Sequence, residues 1–138
     1  MTKLENPKRL YPMFISSDLR KTKEFYLRAG FTLRFDMPEY LQVAYGGDEN
    51  LELCFMLPHQ SSVGMDYPRF AGQGVIVSIP TPDADGKAAE LRDKGIEILN
   101  PLEDKPWGWR SFHVSDPNGV VLDFFHVYKA GPPPNEPS

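Results

Sequence analysis

The feature that most constrains the fold of this chain is an internal repeat of its helix signals. Asp18 and Asp83 each stand where an amphipathic helical pattern begins, and they are 65 residues apart. Gly30 and Gly95 stand where those patterns end, and they have the same separation. Glycine is common just after a helix because it adopts a positive φ without strain. The repeat predicts two βαβββ modules, each of which needs a neighbour to complete its core.

The boundaries of the elements follow from apolar spacing and from turn residues. Apolar side chains recur at helical spacing over about 18–29 and 83–94. Ser17 or Asp18 can cap the first helix, and Thr81 can cap the second helix with Pro82 at its first position. Strands are predicted over 11–16, 31–36, 40–45, 51–57, 74–79 and 96–99, and a loop is predicted over 100–108.

The last part of the chain is predicted to be an antiparallel hairpin with aromatic residues at its entrance. Its turn is Asp116-Pro117-Asn118-Gly119, in which the glycine can take the positive φ that closes such turns. Trp107 lies between a proline and a glycine, which suits a loop that presents a rigid ring. We therefore predict Trp107 at the mouth of a pocket, and we expect Trp109 to serve packing or a dimer contact.

These patterns together predict an α+β fold. Two βαβββ modules form curved antiparallel sheets that carry the helices on their outer sides. The predicted divisions are a flexible N-terminus over 1–9, a first module over 10–57, a connecting loop over 58–72, a second module over 73–129 and a disordered proline-rich tail over 130–138.

Composition narrows the classes of partner. The 138 residues carry a formal net charge of −4, which argues against nucleic acid as the main partner. The longest apolar run, 53–57, is far too short to span a membrane, and the N-terminus has no apolar signal core. The single cysteine, Cys54, excludes an internal disulfide and fits a reducing cytoplasm. We therefore expect a cytoplasmic protein with no membrane partner.

The modules and two sets of motifs resemble the vicinal oxygen chelate superfamily. The first set is Asp18-Leu19…Phe25-Tyr26…Gly30-Phe31, and the second is Asp116-Pro117-Asn118-Gly119…Leu122-Asp123-Phe124. This superfamily includes glyoxalase I, extradiol dioxygenases and bleomycin-resistance proteins, and the resemblance covers roughly residues 10–128. The run Pro106-Trp107-Gly108, with Arg110, Phe112 and Asp116-Pro117 after it, is most similar to the bleomycin-resistance branch. The resemblance implies a homodimer.

The resemblance also locates the metal-ligand positions of the family. Metal-dependent members carry histidine in the first strand of each module and glutamate in the last strand. Those positions fall at Tyr11 and Glu52 in the first module, and at Gly74 and Asp123 in the second. Two carboxylates without an imidazole would hold a divalent ion weakly, because a catalytic site normally has about three protein ligands. We therefore expect no metal and no other cofactor.

The histidines and the cysteine offer no alternative centre in sequence. None of His59, His113 and His126 stands at ligand spacing from a second histidine or a carboxylate. His126 alternates with apolar residues of the last strand, which favours a packing role. Cys54 has no neighbouring base and is expected to be a cavity-wall residue rather than a nucleophile.

The first functional hypothesis is a small-molecule-binding protein that sequesters an aromatic or cationic compound, such as an antibiotic. In the bleomycin-resistance branch a ring faces the tryptophan of the Pro-Trp-Gly loop, and Tyr40 holds the matching position. The resemblance thus implies a flat ligand between Tyr40 and Trp107, with Tyr11 nearby and with Glu52 and Asp123 able to pair with a cation.

Two further hypotheses remain open, and the sequence alone does not decide whether the protein is an enzyme. One is a lyase, isomerase or dioxygenase of the same superfamily, either with altered metal ligands or metal-free with Glu52 and Asp123 sharing a proton. The other is a dimeric domain whose pocket is vestigial.

Overall fold

The computed structural model describes residues 7–60 and 64–131. Most of the predicted flexible N-terminus and nearly all of the predicted tail lie outside the described residues. The chain divides into two compact units, with the boundary between Arg69 and Phe70.

The first unit contains one four-stranded sheet and one helix. In chain order its elements are β1 (Met13–Ile15), α1 (Leu19–Arg28), β2 (Phe31–Met37), β3 (Tyr40–Tyr45) and β4 (Glu52–Met56), followed by the short hairpin of β5 (His59–Gln60) and β6 (Met65–Asp66). The strand order in the sheet is β1-β4-β3-β2. The hairpin lies within the stretch 58–72 that was predicted as a loop.

Local sequence signals explain where α1 begins and ends. Asp18 is the N-cap, and its side chain accepts a hydrogen bond of 3.0 Å from the backbone N–H of Lys21. Gly30 follows the helix with a φ of 96°. Between them Tyr26 is fully buried, with its ring 5.1 Å from that of Phe55 on β4. The predicted stripe of α1 therefore packs on one face of the first sheet.

The second unit repeats this plan. Its elements are β7 (Ile76–Pro80), α2 (Ala84–Asp93), β8 (Asn100–Asp104), β9 (Trp109–Ser115) and β10 (Val121–Val127), and its sheet has the order β7-β10-β9-β8. In both units the first strand therefore lies beside the last, as two copies of one βαβββ module require. The α+β fold and both helices are confirmed. Neither described helix is long and apolar enough to cross a membrane.

The hairpin between β9 and β10 forms at the predicted turn. The N–H of Gly119 donates to the carbonyl of Asp116 at 3.1 Å, and Gly119 has a φ of 87°. Oδ1 of Asp116 accepts from the N–H groups of Asn118 and Val120, at 2.8 and 2.9 Å. This buried carboxylate fixes the turn, and the turn fixes the register of the two strands.

The expectation of purely antiparallel sheets was wrong at one place in each unit. β1 pairs with β4 in parallel, and β7 pairs with β10 in parallel. The helix that follows the first strand returns the chain, so the second strand runs in the first strand's direction. After two antiparallel hairpins the fourth strand also runs in the direction of the first strand. The first strand therefore pairs in parallel with the free edge of the fourth strand.

The strand predicted over 74–79 lies at Ile76–Pro80, and two other features of the second unit differ more from the predictions. The strand expected over 96–99 instead lies at 100–104, within the predicted loop. Ile96 is buried and donates its N–H to Leu91 of α2, so the chain pairs with β9 only from Leu99 onwards. The N-cap of α2 is Asp83 rather than Thr81, and its side chain makes no capping hydrogen bond to any described residue.

The two helix caps predict different costs of substitution. Asp18→Ala removes a capping hydrogen bond and should lower the free energy of unfolding by about 1 kcal/mol. Asp83→Ala removes no such bond and serves as the matched control, with a smaller effect. Urea unfolding of both variants checks this, and equal losses would contradict the assigned caps.

Candidate functional site

In the first unit, the candidate residues lie on the face of the sheet away from α1. Tyr40, Gln42, Glu52 and Cys54 alternate along β3 and β4 with buried apolar residues that face the helix, and Gln42 is directly opposite Cys54. We call this the first open face. It brings together two of the predicted site residues, Tyr40 and Glu52.

Glu52 is enclosed by partners from its own unit. Its side chain is 1% exposed, and Oε1 lies 3.2 Å from Nη2 of Arg9 and 3.5 Å from Nε of Arg34. Oε2 accepts a hydrogen bond from the side-chain amide of Gln42. With two guanidinium groups already beside it, this carboxylate is not a free counter-charge for a ligand cation.

Tyr40 belongs to the same network. Its hydroxyl lies 2.5 Å from Oε1 of Gln42 and 3.1 Å from Sγ of Cys54. Burial, the contact with the Cys54 thiol and the nearby charge of Glu52 raise the pKa of Tyr40 well above its usual value. Burial likewise raises the pKa of the Cys54 thiol, which supports its predicted role as a wall residue rather than a nucleophile.

Tyr11 lies just before β1 and is partly buried. The guanidinium carbon of Arg9 is 4.9 Å from the centre of its ring, which is within the range of a cation–π contact. Arg9 therefore links Tyr11 to Glu52 within the first unit.

In the second unit, Trp107 lies on a tightly held turn between β8 and β9. The N–H of Gly108 donates to the carbonyl of Lys105 at 3.0 Å, and Lys105 donates to Trp109 at 2.7 Å. The N–H of Tyr128 donates to the carbonyl of Gly108 at 2.9 Å. Gly108 has a φ of 96°, and a Cβ there would lie 2.4 Å from the carbonyl oxygen of Lys129. The side chain of Trp107 is nevertheless half exposed, at 50%.

Asp123 lies on the face of the second sheet away from α2, which we call the second open face. Its neighbour Phe124 is on the opposite face, where Nζ of Lys87 of α2 lies 5.6 Å from the ring centre. Ser78 donates to Oδ2 of Asp123 at 3.0 Å, and Nε2 of His113 lies 3.3 Å from Oδ1. The sequence reasoning missed His113, although the turn at 116–119 sets the register that places it opposite Asp123.

The other two histidines also have partners that sequence spacing did not reveal. Nδ1 of His59 is 2.7 Å from Oδ1 of Asp66 across the short hairpin of β5 and β6. His126 accepts a hydrogen bond of 2.8 Å from the N–H of Ala84 and so caps α2 in place of the Asp83 side chain. A structural role for His126 was expected, but not this one.

The residues present at the family's metal-ligand positions do not suit a divalent cation. The two guanidinium groups beside Glu52 would repel one. Gly74 has no donor and precedes β7, and the β7 residue in register with Asp123 is Ser78. No imidazole therefore joins these carboxylates at the positions that the family uses.

One group of possible metal donors occurs among the described residues, at the start of α2. It consists of Asp83, Asp85 and His126, whose ligand atoms lie within 4.8 Å of one another. Arg110 already holds Asp85 through two hydrogen bonds of 2.8 and 2.9 Å, which lower the pKa of that carboxyl. Nδ1 of His126 is occupied by the helix N–H, so this cluster is explained by capping and an ion pair.

Solved structures of similar fold come from several bacteria. A glyoxalase/bleomycin resistance protein/dioxygenase from Nocardioides is 22% identical with a TM-score of 0.74, covering 98% of this chain and 93% of its own. A bleomycin resistance determinant encoded on the transposon Tn5 is 20% identical with a TM-score of 0.69, and the match covers 89% of this chain and 100% of that one. The antibiotic binding protein TnmS3 from Streptomyces sp. CB03234 is 25% identical with a TM-score of 0.68, and the match covers 91% of this chain and 99% of that one.

The family comparison extends over most of the chain. No curated protein matches this chain. A family model does match, over residues 10–124, and it spans both helices and all four strands of the first sheet. The chain belongs to the Glyoxalase/Bleomycin resistance protein/Dioxygenase superfamily.

Proposed function

We propose that this protein binds a flat aromatic small molecule, such as an antibiotic, and sequesters it without chemical change. The observation that carries the proposal is the half-exposed indole of Trp107 on a turn that backbone hydrogen bonds hold in place. A large ring on a fixed turn loses little conformational entropy when a ligand stacks on it. Stacking contributes about 1 kcal/mol beyond the buried area.

A structural relative supports the same proposal. TnmS3, which is described as an antibiotic binding protein, is similar to this chain over almost its full length. By contrast, Glu52 already has two arginine partners, so it is poorly suited to share a proton with Asp123 as an acid–base pair.

Replacing Trp107 tests the proposal directly. Trp107→Ala should weaken the binding of metal-free bleomycin, which carries a planar bithiazole, or of a planar antibiotic that binds the native protein, by about 1–3 kcal/mol, as interface anchors do. Because the ring is half exposed, the melting temperature should change little. Isothermal titration calorimetry and a thermal melt on the same sample measure both quantities.

Two further variants make this test specific. Leu27→Ala removes an exposed apolar side chain from α1, 43% exposed, and should leave affinity unchanged. Gly108→Ala keeps the indole but forces the turn away from Lys129, so it should weaken binding. Unchanged affinity in Trp107→Ala, or no binding of any planar antibiotic to the native protein, would contradict the proposal.

The proposed mode of action is free of metal. Protein purified without added metal should contain no stoichiometric nickel, zinc, iron or manganese, because tyrosine and glycine replace the family's imidazoles and two arginines adjoin Glu52. Elemental analysis checks this, and antibiotic binding should survive treatment with EDTA. A tightly retained stoichiometric metal would instead favour the lyase or dioxygenase reading.

The proposal includes a homodimer, with the protein acting in the cytoplasm. Strand β2 is an edge of the first sheet, and it exposes Phe35 at 53% and Met37 at 55%. Exposed apolar side chains at an edge favour association with a second chain. Sedimentation velocity should give a dimer for the native protein and for Leu27→Glu, but a monomer for Phe35→Glu. A native monomer would contradict this part.

A further inference from the structure

A row of polar side chains crosses the second open face from one edge of the sheet to the other. Ser78, Asp123, His113 and Asn100 occupy paired positions on β7, β10, β9 and β8. Paired residues point to the same side of a sheet, so these four side chains form one continuous row. We call it the polar row. Its outer members, Ser78 and Asn100, are exposed, while Asp123 in the middle is buried.

One carboxylate oxygen in this row accepts no hydrogen bond from the part of the chain that the structure describes. Oδ2 of Asp123 accepts from Ser78, but Oδ1 has no hydrogen-bond partner among the described residues. Nε2 of His113 is 3.3 Å from Oδ1 without the alignment of a hydrogen bond. The Asp123 side chain is only 9% exposed. A carboxylate buried to this degree costs free energy unless a donor or cation satisfies it.

His113 forms the cover over this oxygen. Its side chain is 18% exposed, twice the value for Asp123, and its other nitrogen lies 3.0 Å from the amide nitrogen of Asn100. An imidazole balances a carboxylate charge only when it is protonated. A ligand cation that displaced Nε2 of His113 would supply both the charge and the missing hydrogen bond.

An aromatic platform lies beside the polar row on the same face. Phe125 is two residues beyond Asp123 on β10, and Trp109 is four residues before His113 on β9, so all four side chains share a side. The rings of Trp109 and Phe125 are stacked at 3.6 Å with an angle of 8° between their planes. Both residues remain partly exposed, which leaves ring surface for a third planar group.

We propose that the second open face recognises an aromatic cation. The planar part of the ligand packs on the platform of Trp109 and Phe125, and its positive group binds Oδ1 of Asp123 where His113 now lies. This inference rests on the proposed function and specifies its ligand class. It assigns the cation to Asp123 rather than to Glu52, whose charge is matched by arginine.

The test compares two dyes that share a three-ring skeleton. Ethidium carries a permanent positive charge, and its two amino groups, which are conjugated with the charged ring, can donate hydrogen bonds. Phenanthridine is neutral at pH 7.5 and has no N–H group. Asp123→Asn should weaken ethidium binding by about ten- to a hundredfold, as expected for the loss of a hydrogen bond to a charged group. The same variant should leave phenanthridine binding unchanged, which shows that the platform is intact. Fluorescence titration of the full chain measures both affinities.

Three more variants separate recognition from damage to the fold. Ser78→Ala keeps the Asp123 charge and should leave ethidium binding little changed, while His113→Ala uncovers Oδ1 and should maintain or raise it. Phe125→Leu keeps an apolar side chain but removes a ring, so it should weaken both dyes.

Four results would overturn the inference. They are unchanged ethidium affinity in Asp123→Asn, an equal loss of phenanthridine, a loss in His113→Ala as large as that in Asp123→Asn, and no ethidium binding to the native protein. The antibiotic titration with Trp107→Ala is independent of these dyes, so the proposed function can survive the failure of this inference.

Discussion

Each sheet depends on the parallel pairing between its first strand and its last strand. This pairing is the only sheet contact of β1 and of β7 among the described strands. It also brings one polar partner to the carboxylate of each open face from a distant part of the chain. Ser78 reaches Asp123 across 45 residues, and Arg9, just before β1, reaches Glu52 across 43. Without the helix crossovers, neither carboxylate would have these partners.

The sequence predicted the elements better than it predicted how they meet. The Asp18 cap, the glycines that follow both helices and the turn at 116–119 are local signals, so α1, α2 and the last hairpin lie close to where they were expected. The parallel pairing and the delayed start of β8 depend on tertiary contacts, such as Ile96 bonding back to α2. In the site, His113 could have been found from the turn, since a hairpin turn fixes the register. Ser78 and the two arginines at Glu52 could not, because they come from strands or segments without a local link.

The two carboxylates singled out in the sequence have different surroundings. Glu52 lies among Arg9, Arg34 and Gln42, and its charge is balanced within the first unit. Asp123 has one serine donor, and its Oδ1, 3.3 Å from Nε2 of His113, accepts no hydrogen bond from the described residues. Repetition thus produced two similar scaffolds, and the side chains on neighbouring strands gave one carboxylate a structural role. The other carboxylate keeps one oxygen that accepts no hydrogen bond from the described residues, which is why we propose that it binds a ligand cation.

The turn that carries Trp107 is held by the segment after β10 rather than by its own residues alone. Tyr128 donates to Gly108, and a Cβ on Gly131 would lie 2.4 Å from the carbonyl oxygen of Trp107. The direction of the indole is therefore set partly by residues 128–131, which follow the last strand. If Trp107 binds a ligand as we propose, changes in that short segment would alter the direction of the ring while the rest of the fold stays the same. Residues 128–131 are thus a place where substitutions would change ligand selectivity under the proposed function without any change to an aromatic residue.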